Sequence, residues 1–527
     1  MKFGILSDII GQQDDIPQIK LPLGYACGQS EWVHYWHGTM RRLPGRYKDF
    51  VNADKNPVQI PDGYPIIHWH YHVTTGGTEY ELAFTKAHVY RWIGGSYTWD
   101  LLWTCASNVT RWSTADFGPY VIATNNVDKV LSWTDTTPST DFVPLGGANG
   151  IEYDTGVYIT KAEHVIECEG YLFLMATTEN ATYRSNRRTW CTWGDLTDWL
   201  RGGSGDAGYN DLEANKRIKA CGKYSNGGVT RLITFTQNMI DAMWLTESDL
   251  VWESETVQES IGCAAPDSVV TDPNGSLYYL ATDQTIRQLF YPDPISLDID
   301  STIRDLNPQL LRYAQGVYVP TLKHLWWAVP SRPDSTGNDL VIMFNLTSRT
   351  WHKAPMAVAA FGFWTGQLSY TIDTIPFATI DGIAWPSIDW AGQTAEYPFL
   401  IASDYAGYGY DCLLGRQDCG VDYHAKLILQ TDLAQSQAVT EYKRLHGLWV
   451  YFVPNKEQGD SAAVSIKGDE DENYAMVGEL SLYGTAPMIV AWMPCDERFR
   501  SCQFKVEATN DFRFIGVVFD YDLDGDA

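Results

Sequence analysis

The chain has 527 residues, 45% of them hydrophobic and 13% aromatic, so it holds enough apolar surface to offset the ordering entropy of several compact units. Its 65 acidic and 38 basic residues leave a formal charge of -27, which argues against a protein that grips nucleic-acid phosphates through a broad basic face. No apolar run approaches the roughly 18 residues of a membrane-crossing helix, and the opening residues are too short and too acidic downstream for a secretory signal, so production in a cytosol is expected.

Residues 1–65 read as an irregular arm punctuated by Pro17, Pro22, Pro44, Pro57 and Pro61. The arm carries the densest basic patch of the chain, Arg41, Arg42, Arg46 and Lys48, which is expected either to dock on an acidic neighbour such as an adaptor ring or to be a solvated loop. From Ile66 to residue 366 one phrase recurs: an alternating apolar run, a polar turn, and a second alternating run often ending in Trp. Period-2 alternation fits antiparallel strands, and the spacing is that of propeller blades. The units span 66–104, 107–150, 157–205, 216–256, 262–305 and 315–366, so about six blades are expected. The clearest copy runs from Val317 through Trp326 and Trp327 to Trp351, and another hairpin turns at Gly170. One short helix is expected over 305–313, between blades. Residues 367–424, rich in Gly, Tyr, Asp and Pro, read as a long connection with functional loops, and 425–527 as a sandwich of about six strands. The expected fold is thus all-β: a β-propeller followed by a C-terminal β-sandwich-like domain.

Few side chains suggest chemistry. His68, His70 and His72 alternate on one strand and share a face, a weak metal-site candidate against the plainer reading of a histidine and aromatic stripe, because no Asp, Glu or Cys nearby in sequence completes the set. The acidic end, Asp520 to Asp526, begins like a calcium loop but lacks the closing Glu. The ten cysteines show no CxxC pair and read as free thiols. Nucleophile-elbow, zinc-helix and phosphate-loop motifs are absent, and carboxylates are too abundant for any catalytic pair to stand out, so no catalytic residue and no cofactor are expected.

Several phrases occur together in an order that resembles the tail hub, or nozzle, proteins of short-tailed bacteriophages. They are Gly38 to Arg46, His164 to Phe173, Trp190 to Asp195 with Trp199, Thr234 to Asp241, Glu259 to Cys263, Ala265 to Val270, Leu277 to Asp283, the Trp326 to Trp351 hairpin, and Lys443-Arg444-Leu445. The resemblance spans most of residues 35–520 and rests on order and strand pattern. It implies a structural virion protein of the tail, assembled in the host cytoplasm as a homohexamer below the portal and adaptor. Such a ring forms the channel for DNA ejection and a platform for fibres or spikes. An acidic lumen would keep phosphates from adhering. The alternative, on a different function class, is a carbohydrate-binding or glycan-cleaving propeller, since exposed Trp and paired carboxylates suit sugar chemistry.

Overall fold

The computed structural model describes the chain apart from residues 1, 7–10, 15–24, 37–38, 49, 53–55, 95, 135, 137–140, 247–250, 365–397, 432–440, 456–458 and 524–527. Most of the expected connection and the last residues of the acidic tail therefore lie outside the described residues.

Seven antiparallel blades follow one another, five as sheets of their own and two as the inner part of larger sheets, and their innermost strands stand side by side in a closed ring. Blade 1 starts at Ile66–Val73, blade 2 at Ser113–Phe117, blade 3 is built on Val157–Cys168, and blade 4 starts at Ala220–Asn226. Blade 5 starts at Val270–Thr271, blade 6 at Gln315–Val319 and blade 7 at Ala360–Trp364, which packs back on Ile66–Val73. The protein is a β-propeller, with one blade more than the six read from the sequence.

The seventh blade corrects the expected connection. Its strands Phe399–Ser403 and Gly409–Cys412 fall inside 367–424, and its outer strand is Arg46–Lys48, contributed by the N-terminal arm. Pattern reading missed it because its first two strands are separated by 34 residues and the outer one lies more than 300 residues upstream.

Local rules account for the blades. The Glu169-Gly170 turn has φ of 51° and 82°, the two left-handed residues that match hairpin twist. Adjacent Trp326 and Trp327 are both fully buried, on opposite faces: Trp327 sits with Leu325 and Val329 against blade 5, Trp326 near Phe361 of blade 7. Indole N–H groups also tie blades together, Trp327 donating to Ser268 O at 3.0 Å and Trp112 to Thr85 O at 2.9 Å. The ring closes where Ser403 Oγ donates to Ile66 O at 2.7 Å and Gly362 lies flat on Trp69; a Cβ there would stand 2.4 Å from Trp69 Cβ. The one α-helix among the described residues is Asp300–Arg304, a turn earlier than expected, because Pro308 disfavours helix at Asn307.

The C-terminal unit is a sandwich, and it is not separate. Blade 6 continues at its outer edge into Gly11–Gln13, Tyr25–Cys27, Ala425–Thr431, Cys502–Ala508, Ser461–Gly468 and Ala475–Ser481, a single ten-stranded sheet. The facing sheet is Val33–Trp36, Thr39–Arg42, Arg513–Leu523, Lys443–Val453 and Ile489–Phe499, with Lys2–Leu6 also on Arg513–Leu523. Phe452, Phe504, Phe514 and Phe519 fill the space between. The N-terminal segment is thus no free arm; its strands belong to both sandwich sheets and to two blades. At the junction of blade 6 and the sandwich, His34, His324 and His352 are buried together, with ring centroids 5.9 and 6.1 Å apart.

Candidate functional site

The basic cluster of the arm is structural. Thr39–Arg42 and Arg46–Lys48 are paired strands, so their side chains are directed into packed surroundings. Arg46 is buried and bidentate on Asp418, at 2.6 and 3.0 Å, and donates to Ala357 O at 2.6 Å. Buried Arg42 stacks 4.1 Å over the Tyr423 ring and donates to the Arg416 carbonyl. Arg41 is half-buried, and burial, then the Arg513 charge, pulls its guanidinium down to about 10. Lys48 lies 4.7 Å over Tyr408. Arg42 and Arg46 fasten the arm to blade 7 and the sandwich, which corrects the docking expectation for these two; Arg41 and Lys48 remain partly exposed.

Of the three histidines, the structure keeps two together. His68 Nε2 lies 2.7 Å from Thr114 Oγ1 on blade 2. Burial, then the His70 and Arg111 charges, pulls His68 down to about 3. His70 Nε2 and His72 Nδ1 instead meet Asp116 Oδ1, at 3.0 and 2.6 Å. Burial alone would raise the Asp116 carboxyl, yet the hydrogen bonds from both imidazoles outweigh it and hold it well below the usual carboxylate range. Sequence reasoning found no carboxylate for this set because Asp116 comes from the next blade, 44 residues after His72.

A cavity of about 750 Å³ forms the mouth of the ring at the end where the innermost strands begin. Every blade contributes to it, from Ile67 of blade 1 to Tyr405 of blade 7. Five cationic side chains line it, Lys86, Arg111, Arg217, Lys219 and Arg312, with Glu163 and Asp267 as counter-charges. Arg111 reaches from blade 2 to blade 5: it donates to Asp267 at 2.8 Å and to Glu163 O at 3.1 Å, with His164 Nδ1 at 3.0 Å. His164 is held well below its ordinary value by burial, then by the Arg111 charge, so it is the neutral acceptor of that guanidinium. The axis is therefore spanned by an ion pair. Sequence spacing does not bring these residues together, since they come from separate strands and loops spread around the ring.

All ten cysteines are free thiols, and burial pushes those of Cys27, Cys168 and Cys191 up to about 12, far from a reactive thiolate. No helix of the described residues is long and apolar enough to cross a membrane. The outer face of the second sandwich sheet bears an apolar ladder across four strands, Ile5, Val518, Trp449 and Trp492 in register, with Ile5 65% and both Trp 38% exposed.

No family model and no curated protein matches the sequence. Among solved structures, the chain is similar to a YCF48 structure described as bound to D1 peptide and to a BBS1N structure described as in complex with ARL6DN. Each has a TM-score of 0.37 and 11% identity, over 70% of this chain and 97% of the other.

Proposed function

We propose that the chain is a structural subunit of the tail hub of a short-tailed bacteriophage, assembled as a homohexameric ring below the portal and adaptor. The ring encloses the path of the ejected genome and carries fibres or spikes. The observation that carries this reading is the seamless join of propeller and sandwich. One ten-stranded sheet runs through both, with strands of the N-terminal segment woven into it, so load passes between the two units without a hinge. A part that holds against internal pressure needs such stiffness; a lone binding module does not.

Three further features support it. The propeller axis is crossed by Arg111 and Asp267, which fits a reading in which the genome runs between copies and not through the hole in each. A charge of -27 on each copy disfavours adhesion of phosphates. The ladder of Ile5, Val518, Trp449 and Trp492 offers an apolar face for a neighbouring copy. In this reading the subunit is not a catalyst.

Electron microscopy of assembled particles, with mass photometry of the purified chain beside the adaptor, tests the proposal. Six copies in a ring are expected. A chain that stays monomeric in the presence of the adaptor, is absent from particles and binds glycans on an array would replace the hub with the carbohydrate-binding reading.

A further inference from the structure

Among the described residues, one group of three metal-ligating side chains converges: His70, His72 and Asp116, with one donor atom of each within 4.8 Å of the others. The fold explains the convergence. Two residues apart on the innermost strand of blade 1, the histidines share a face, and the innermost strand of blade 2 brings Asp116 to it. The position is toward the far end of these strands from the cationic mouth. The His70 and His72 side chains are 11% and 2% exposed and that of Asp116 is 49% exposed, so protein closes one side and water reaches the other.

A carboxylate accepting two imidazole N–H bonds would account for the two short contacts alone. What carries the inference further is the hydrogen-bond relay behind them. Thr114 Oγ1 lies 2.9 Å from His70 Nδ1 and 2.7 Å from His68 Nε2. A hydroxyl both donates and accepts, so this chain is satisfied in either direction. When His70 Nε2 holds a proton for Asp116, Nδ1 accepts from Thr114, which accepts from His68 Nε2–H. When Nε2 gives its lone pair to a metal, Nδ1–H donates to Thr114, whose hydroxyl donates to His68 Nε2, and His68 keeps its proton on Nδ1. Proton number along His68, Thr114 and His70 is the same in both states, and no bond of the relay is lost. An oriented partner on the non-ligating nitrogen is what metal-binding histidines require.

We propose that His70 Nε2, His72 Nδ1 and one carboxylate oxygen of Asp116 form a three-ligand site for a divalent transition-metal ion, zinc by preference, that staples blade 1 to blade 2. Two imidazoles and one carboxylate with a solvent-facing fourth position make a zinc-type set, and nitrogen donors disfavour magnesium and calcium. Bonds of roughly 2.0 to 2.2 Å place tetrahedral donors roughly 3.3 Å apart. The present 2.6 and 3.0 Å contacts need open by about 0.7 and about 0.3 Å, which the half-exposed Asp116 permits.

Titration of cobalt(II) and then zinc into the chelator-stripped full chain tests the site. One equivalent should bind, with the visible d–d absorption of low-symmetry cobalt, and zinc should raise the melting temperature. Asp116→Asn and His72→Ala should each abolish the cobalt band and weaken zinc at least about ten-fold. Thr114→Val should weaken zinc about ten-fold by releasing the His70 ring. His424→Ala, at an exposed position of the sandwich, should bind like the parent chain. Asp116→Asn is nearly isosteric at a half-exposed position, so it stays folded and keeps the test decisive if His72→Ala does not. Failure of the parent chain to bind micromolar zinc, or an unchanged cobalt spectrum in folded Asp116→Asn, overturns the proposal.

Discussion

Acidification should unlock the junction between blade 6 and the sandwich. Burial pulls His324 down to about 4 from an ordinary 6.5. His352 and His34 are also held well below 6.5, by burial first and then by neighbouring imidazoles, with Arg41 adding to His34. Between pH 6.5 and 4 the unfolded chain therefore binds a proton on His324 that the folded chain refuses. The stabilisation is fully present above 6.5 and is lost as pH falls, by about 1.4 kcal/mol per pH unit for each histidine. His324 alone then costs roughly 3 kcal/mol across its window, and His34 and His352 steepen the slope further. At about pH 5 the loss from His324 alone is about 2 kcal/mol, and His34 and His352 add to it in the same direction. Urea midpoints should be compared from about pH 7.5 to about pH 5 in the parent chain, His324→Gln and His352→Gln. Each variant should have a shallower slope by about one proton. Equal slopes in all three, or a parent chain that gains stability on acidification, would refute the reasoning.

Arg46→Ala should destabilise by about 3 to 5 kcal/mol, since it strands the mostly buried Asp418; the double variant with Asp418→Ala should recover part of that, and a urea-measured loss under about 1 kcal/mol would contradict the buried pair. Gly362→Ala should cost about 1 to 3 kcal/mol, because its methyl group collides with Trp69 at the ring closure, and an unchanged melting temperature would mean a looser seam. Trp449→Thr combined with Trp492→Thr should cost about 1 to 3 kcal/mol of stability, leaving the chain folded, yet prevent copies from joining, as read by mass photometry with the adaptor; normal assembly would remove the ladder from the interface.

Period-2 alternation located the first strands of blades 1, 3 and 6 and set those of blades 2, 4 and 5 several residues early; it also found most sandwich strands, because each buries one face and so writes its register into the sequence. The hairpin over Trp326 and Trp351 lies where the pattern put it. Blade 7 escaped because pairing between Tyr47 and Asp411 leaves no local trace. For the same reason Arg42 and Arg46 looked like a solvated patch: in sequence they stand among prolines, and only Tyr423 and Asp418, far downstream, turn them inward. Two-residue spacing revealed that His70 and His72 share a face, but not Asp116, since inter-blade neighbours depend on ring curvature. The axial ion pair between Arg111 and Asp267 is of the same kind, a contact across 156 residues.

Strand Arg46–Lys48 completes a blade whose other strands lie at 360–412, and Lys2–Leu6 pairs with Arg513–Leu523. On the ribosome, Lys2–Leu6 must wait until Arg513–Leu523 has emerged, some 500 residues later, before its backbone groups find their permanent partners. Until then six blades stand as an unsealed arc with two bare rims, the state most exposed to mispairing with other nascent chains. Maturation should accordingly be slow and dependent on chaperones, and once the last rim is sealed, reopening should be slower still.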